Sequence, residues 1–253
     1  MTATIAASSL IITSLPPSHP PRHSSIYNHN YSSPKSKFIL SNSKPLFVAT
    51  AVTHNNNNSP TSIMDDLGDV TIFRASGEAV TFKSLMWDEE VGDGFTVVAL
   101  LRHFGCPCCW ELASTLKESK ARFDSAGVKL IAVGVGTPTK ARILAQRLPF
   151  PMDCLYADPD RKAYNVLNLY YGFGRTFFNP ASTKVFSRFD ALRKAVKNYT
   201  IEATPDDTSG VLQQGGMFVF RGKQLLYARK DEGTGDHAPL DDIFDVCCKA
   251  PVS

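Results

Sequence analysis

The sequence predicts an α/β fold, a central mixed sheet with helices on both faces. One observation is the run Thr96-Val97-Val98-Ala99-Leu100-Leu101, continuously apolar and β-branched at its start. A strand covered on both faces has this signature. Another is the stripe that follows it. Cys109, Leu112, Ala113, Leu116 and Phe123 fall at offsets of 3, 4, 7 and 14, one face of a helix. The last is the order of elements, strands alternating with helices before a hairpin and a closing helix, which layers helices on a sheet.

Short strands are expected at 70–73 and 80–82 around the turn Ala75-Ser76-Gly77, with a helical turn at 83–87. The strand 95–104 leads into a helix that begins at the cysteine cluster and runs to about Ala126, stopped by Gly127. A second buried strand spans 128–135. Thr137-Pro138 then opens a helix to Leu148, with Pro in its first turn. Residues 152–156 read as a strand and Asp158-Pro159 as the start of a helix reaching Leu167. Residues 170–179 are aromatic and broken by Gly172 and Gly174, so they read as irregular, and 180–199 as mostly helical. Strands at 216–221 and 224–229 flank Gly222-Lys223, a hairpin signal, and 239–249 closes the chain as a helix.

Charge divides the chain. The first 64 residues contain no Asp or Glu, 13 Ser and only four bases, Arg22, Lys35, Lys37 and Lys44. Organelle transit peptides have this composition, and few Arg with many Ser, Pro and Asn favours the chloroplast. Residues 1–50 are therefore expected to be a chloroplast transit peptide cleaved between Phe47 and Thr53, 51–68 a linker, and 69–250 the folded domain, resident in the stroma. From residue 65 onward 23 bases stand against 24 acids. That balance excludes a basic nucleic-acid-binding body. No apolar run approaches the roughly 18–20 residues of a membrane span, so neither nucleic acid nor membrane is expected as a partner.

The six cysteines lie at 106, 108, 109, 154, 247 and 248, too few and too clustered for a secreted disulfide framework. Zinc spacing would need a second separated Cys/His pair, so no metal or other cofactor is expected. A helix N-terminus favours the thiolate, the nucleophilic form. Cys106, placed before the helix, is expected to be exposed and to attack; Cys109, one turn later on the buried stripe, is placed to resolve the mixed disulfide. Cys108 reads as a bystander, and Cys154 and Cys247-Cys248 as small buried hydrophobes.

Several stretches resemble the AhpC/TSA (alkyl hydroperoxide reductase/thiol-specific antioxidant) family in its peroxiredoxin-like 2 branch. They are Leu101-Arg102-His103-Phe104-Gly105-Cys106-Pro107-Cys108-Cys109, Leu148-Pro149-Phe150-Pro151-Met152-Asp153, Ala157-Asp158-Pro159-Asp160-Arg161, Gly215-Gly216-Met217-Phe218-Val219-Phe220 and Gly235-Asp236-His237-Ala238-Pro239. The resemblance implies a thioredoxin-like, peroxiredoxin-like fold and thiol redox chemistry, with a thiol reductant or a disulfide-bearing protein as partner. Peroxiredoxins carry P-x-x-x-T-x-x-C; aligned on Cys109, this chain has Arg102 at the Pro and Cys106 at the Thr. Thioredoxins carry a cis-Pro facing the dithiol, where this chain has Gln214-Gly215-Gly216.

Three functions are compatible with these residues: a thiol-disulfide oxidoreductase cycling Cys106 and Cys109, a peroxidase using Cys109 with Cys106 resolving, and a redox-sensing binding protein with residues 170–178 as its partner surface. Arg102 or His103 could lower a thiol pKa. Arg175 is the counterpart that the resemblance suggests for a peroxide-polarising Arg. His237 reads as a loop or helix-cap residue, and the basic-aromatic stretch 186–199 as a half-exposed helix.

Overall fold

The computed structural model describes residues 60–87 and 94–249, all within the unit Ala49–Ser253. The expected transit peptide and its cleavage point lie outside the described residues. Helix α1 (Pro60–Gly68) occupies the second half of the segment read as linker, and it buries Met64 and Leu67, three residues apart. It precedes β1 (Thr71–Arg74), β2 (Ala79–Thr81) and the short α2 (Phe82–Met86), capped by the Thr81 side chain. Next come β3 (Phe95–His103), α3 (Pro107–Glu118), α4 (Lys120–Ser125), β4 (Lys129–Val135) and α5 (Pro138–Arg147). The chain continues through β5 (Leu155–Ala157), α6 (Lys162–Val166), α7 (Phe173–Phe177) and α8 (Phe189–Ala195), and ends in the hairpin β6 (Gly216–Arg221) and β7 (Gln224–Lys230) and in α9 (Leu240–Lys249).

One mixed seven-stranded sheet results, in the order β2-β1-β5-β4-β3-β6-β7. Strands β3, β4 and β5 are parallel; β1 and β6 join this centre antiparallel. The period-2 alternation of β3 explains the two cores. Val97, Ala99 and Leu101 face the cluster containing Leu116, Phe123, Leu144 and Phe244, while Val98 and Leu100 face Leu67, Phe82 and Tyr164. The expected α/β architecture, thioredoxin-like with helices on both faces, is the one observed.

Local differences have identifiable causes. The helix expected to reach Ala126 is interrupted at Ser119, whose carbonyl receives the N–H groups of Arg122 and Phe123 to start α4. The new direction stacks Phe123 on Phe244 of α9, ring centroids 4.5 Å apart. Residues 152–154 form a 3-10 turn, and β5 starts only at Leu155. Arg161 sits at φ +58°, so α6 begins at Lys162, with the Asp158 carboxylate accepting from the N–H groups of Lys162 (3.1 Å) and Ala163 (2.9 Å). Residues 180–199 are a 3-10 stretch, Pro180–Arg188, followed by the seven-residue α8. The stretch read as irregular contains α7.

A break in β3 positions everything that follows. Its pairing with β4 runs in register to Leu100–Val133 and resumes, shifted, at His103–Val135. The buried Tyr164 hydroxyl lies 2.5 Å from the Leu101 carbonyl and 3.1 Å from that of Val133, supplying a donor where the ladder fails. Tyr164→Phe should therefore destabilise the domain by about 1–3 kcal/mol, the usual cost of a stranded buried acceptor. Urea unfolding would show the loss; stability equal to wild type would refute this role for the hydroxyl.

Candidate functional site

The register break ends at Arg102-His103, and a two-residue turn delivers Cys106 to the N-cap of α3 in extended conformation (φ −89°, ψ 120°). Pro107 occupies the first helical turn, where a missing N–H costs nothing. Helical hydrogen bonds then run from Cys109 and Trp110 N–H to the Cys106 carbonyl. This geometry brings all three cysteines of the cluster together and leaves each as a free thiol.

Cys106 is not exposed as the sequence suggested: it is 2% accessible, and Cys109 is fully buried. The cover comes from residues 172–212. Thr204 lies against Gly105 so closely that a Cβ there would meet the Thr204 side chain and backbone. Tyr199 donates to the Gly105 carbonyl at 2.7 Å and meets Trp110 edge-on at 5.3 Å. The Arg188 guanidinium stands 3.0 Å from the buried Glu111 carboxylate as an ion pair, and burial raises the Glu111 pKa against the pull of Arg188.

Arg102, itself 3% accessible, organises the sulfurs. Its Nε and Nη2 donate to the carbonyls of Gln213 (3.0 Å) and Val211 (2.8 Å), fixing the guanidinium plane. Its Nη1 donates to Cys106 Sγ at 3.4 Å, while its backbone N–H donates to Cys109 Sγ at 3.2 Å. One residue thus contacts both sulfurs.

Proton affinities follow from this arrangement. The Cys106 pKa falls well below the ordinary thiol value, first because the Cys108 and Cys109 thiols hydrogen-bond to its sulfur, and then because Arg102 and His103 oppose its burial. Burial, followed by the hydrogen bond to Cys106 and that neighbour's charge, drives Cys109 well above it. Cys108 is raised too, by its bond to Cys106 first, so it is a proton donor to the thiolate and not a bystander. His103 is lowered, chiefly by burial, which keeps its imidazole neutral more readily. Among the two neighbours named from sequence, Arg102 is therefore the lasting positive charge.

The remaining candidates separate from the site or acquire new roles. Arg175 lies over the Tyr170 ring, 4.0 Å from its centroid, so the guanidinium that touches a site sulfur belongs to Arg102. His237 lies in the loop before α9, as expected, but its side chain is buried. Its Nε2 donates to the Cys108 carbonyl (3.1 Å), and its Nδ1 lies 2.9 Å from the Asp231 carboxylate. Burial lowers the His237 pKa, but Asp231 outweighs it and the net shift is upward. Asp231 and His237 are six residues apart, a spacing that is uninformative without the turn after β7, where Asp236 N–H donates to the Gly233 carbonyl (3.2 Å). Cys154 and Cys247 are buried, with pKa values pushed up to about 12 mainly by burial, whereas Cys248 is exposed, contrary to expectation.

The strand edge beside the dithiol is also occupied. Gln214 N–H donates to the Tyr170 carbonyl (2.9 Å) and Gly172 N–H to that of Leu212 (3.1 Å), so this chain's own segment pairs where thioredoxins present their cis-Pro. Gly215 is required there, since a Cβ would stand 2.3 Å from the Leu100 carbonyl. Among the described residues no group of three or more His, Cys, Asp or Glu is placed to hold a metal ion, and no helix is long and apolar enough to cross a membrane.

Comparison with known proteins identifies the family. The sequence model of the AhpC/TSA antioxidant enzyme family matches residues 115–233, beginning inside α3. The thioredoxin-like protein AAED1, chloroplastic, of Arabidopsis thaliana is 32% identical over 187 residues, covering 73% of this chain and 72% of that protein. A prostamide/prostaglandin F synthase from Sus scrofa is 32% identical over 183 residues, covering 68% and 81%. A solved structure, peroxidoxin BcpB from Mycobacterium tuberculosis, is similar at TM-score 0.49 and 12% identity, covering 72% of this chain and 93% of that one. With a relative at this identity and coverage and a site built of paired thiols, the chain belongs to the AhpC/TSA antioxidant-enzyme family, on its peroxiredoxin-like side.

Proposed function

We propose that the protein is a thiol-disulfide oxidoreductase in which Cys106 attacks and Cys109 resolves. The observation that carries this reading is the double contact of Arg102, side chain to Cys106 Sγ and backbone N–H to Cys109 Sγ. In the resting dithiol the negative charge sits on Cys106. Its sulfur attacks one sulfur of a substrate disulfide, forming a mixed disulfide and releasing the other half as a thiolate, which takes a proton from solvent. Cys106 is then neutral.

That change acts on Cys109. Two of the causes raising its pKa, the hydrogen bond to Cys106 and the Cys106 charge, disappear, while the Arg102 cation and N–H remain to favour its thiolate. Cys109 loses its proton, attacks Cys106 Sγ and expels the second substrate thiol. The substrate has gained two electrons and two protons, and the protein holds a Cys106–Cys109 disulfide that a thiol reductant reopens. Because both sulfurs lie under residues 172–212, a protein-sized substrate reaches them only when that cover shifts.

A peroxidase using Cys109 has less support, since burial and its neighbours keep that sulfur protonated in the resting site. A sensor without turnover would share the dithiol and lack the second step. In a Cys248→Ala background, an aromatic disulfide probe should release about two equivalents of coloured thiolate from the intact site and about one from Cys109→Ser, with the adduct on Cys106. Adducts that form only at Cys109, in Cys106→Ser, would reverse the assignment.

The acid-free, Ser-rich first 64 residues and the chloroplastic relative together support residence in the plastid stroma, with the leader removed near residues 47–53. Incubated with isolated chloroplasts, the full chain should become a shorter, protease-protected product. A full-length product that stays protease-sensitive would refute plastid import.

A further inference from the structure

The insert over the thiols carries a surface that no redox step uses. Residues 173–197 hold six bases against one acid, Asp190, whereas the rest of residues 65–253 hold 17 bases against 23 acids. The same stretch exposes Phe173, Phe177, Phe178, Phe186 and Phe189, each between 58% and 79% accessible. Domains rarely leave so much ring surface in water within one short stretch without a use for it.

This exposure belongs to an anchored segment. The Thr234 hydroxyl donates to the Thr176 carbonyl (2.8 Å), and Asn179 Nδ2 donates to that of Glu232 (2.8 Å), so the backbone of α7 and the following turn is tied to the loop before α9. Lys184 and Arg188 turn inward to Asp236 and Glu111. Arg193, Lys194 and Lys197 remain exposed, with Lys194 3.7 Å from the exposed Glu118. On α8, Phe189 and Arg193 stand at i and i+4, so ring and guanidinium share one face.

We propose that this surface docks the protein peripherally on an anionic lipid bilayer, the Phe rings entering the headgroup boundary and the bases meeting the negative surface. Charge complementarity points to an anionic partner, because the insert is the basic part of an otherwise acidic domain. The ring chemistry points to lipid. Within residues 173–197 all five exposed aromatics are Phe, with no polar tip to pair, whereas protein interfaces favour Tyr, Trp and Arg. Base stacking needs free ring faces, yet Phe173 packs against Phe177 and Phe178 at 4.7 and 5.7 Å. The sequence suggested no membrane partner because it shows no span; a docking face depends on exposure, which residue order does not reveal. The inference rests on the insert's surface and stands whether or not the thiols turn over.

The test is co-sedimentation of the full chain with vesicles of phosphatidylcholine containing about one third phosphatidylglycerol, beside pure phosphatidylcholine vesicles. Binding is expected to the anionic vesicles, weakening with salt. Arg193→Gln/Lys194→Gln/Lys197→Gln should weaken partitioning about a hundredfold, and Phe186→Ser/Phe189→Ser at least about tenfold. The Lys194→Arg/Lys197→Arg variant should bind as wild type, and circular dichroism would show each variant folded. Equal binding to both vesicle types, or insert variants that bind like wild type, would overturn the proposal. So would failure to bind vesicles together with binding to single-stranded RNA, or with a dimer that the Phe variants disperse.

Discussion

A buried arginine that touches two sulfurs, Cys106 Sγ through its guanidinium and Cys109 Sγ through its backbone N–H, is the constraint on which the site depends. Arg102 is removed from water and fixed by two backbone carbonyls and by Cys106 Sγ. A cation in a low-dielectric interior is costly unless an anion compensates it. In the proposed resting state the Cys106 thiolate supplies that anion, and the cation in return favours the thiolate. The thiols of Cys108 and Cys109 add larger stabilisation through direct hydrogen bonds. What Arg102 alone provides is continuity, because it touches Cys109 Sγ as well as Cys106 Sγ.

The fold produces this contact by failing locally. If the β3–β4 ladder ran without a shift, the residues beyond Leu100 would follow the pleat and Arg102 would sit in regular sheet. The shift between Leu100 and His103, supported by the Tyr164 hydroxyl, turns the end of β3 so that its backbone N–H reaches Cys109 and its side chain reaches Cys106. The insert then closes over both sulfurs and fills the strand edge with Tyr170–Gly172. A sealed thiolate is protected from adventitious oxidants, and access depends on moving the cover.

Periodicity and composition made the sheet, its central strand and the Cys106–Cys109 pair legible, since continuous apolar runs and a helical stripe are properties of neighbouring residues. What stayed hidden depends on residues far apart in the chain. Beside Cys106, Gly105 is covered by Thr204 and Tyr199, about a hundred residues later. His237 gains its role from Asp231 and the Cys108 carbonyl, a juxtaposition made by the loop between β7 and α9. The interruption at Ser119 and the late start of α6 were illegible for a related reason: tertiary contacts of Phe123 and the Asp158 cap decide them, not intrinsic propensity. Arg102 was named as a neighbour, but its double contact required the register shift.

The central claim is that the resting charge sits on Cys106 and the proton on Cys109. The direct measurement is a 13C NMR titration of the reduced protein labelled at the cysteine Cβ atoms, with Cys106→Ser and Cys109→Ser used for assignment. The account predicts that the Cys106 signal keeps its thiolate position through neutral pH and titrates below the ordinary thiol value of about 8.5, while Cys109 remains a thiol throughout. A Cys106 signal that titrates at or above the ordinary value, or ionisation of Cys109 first, would contradict it.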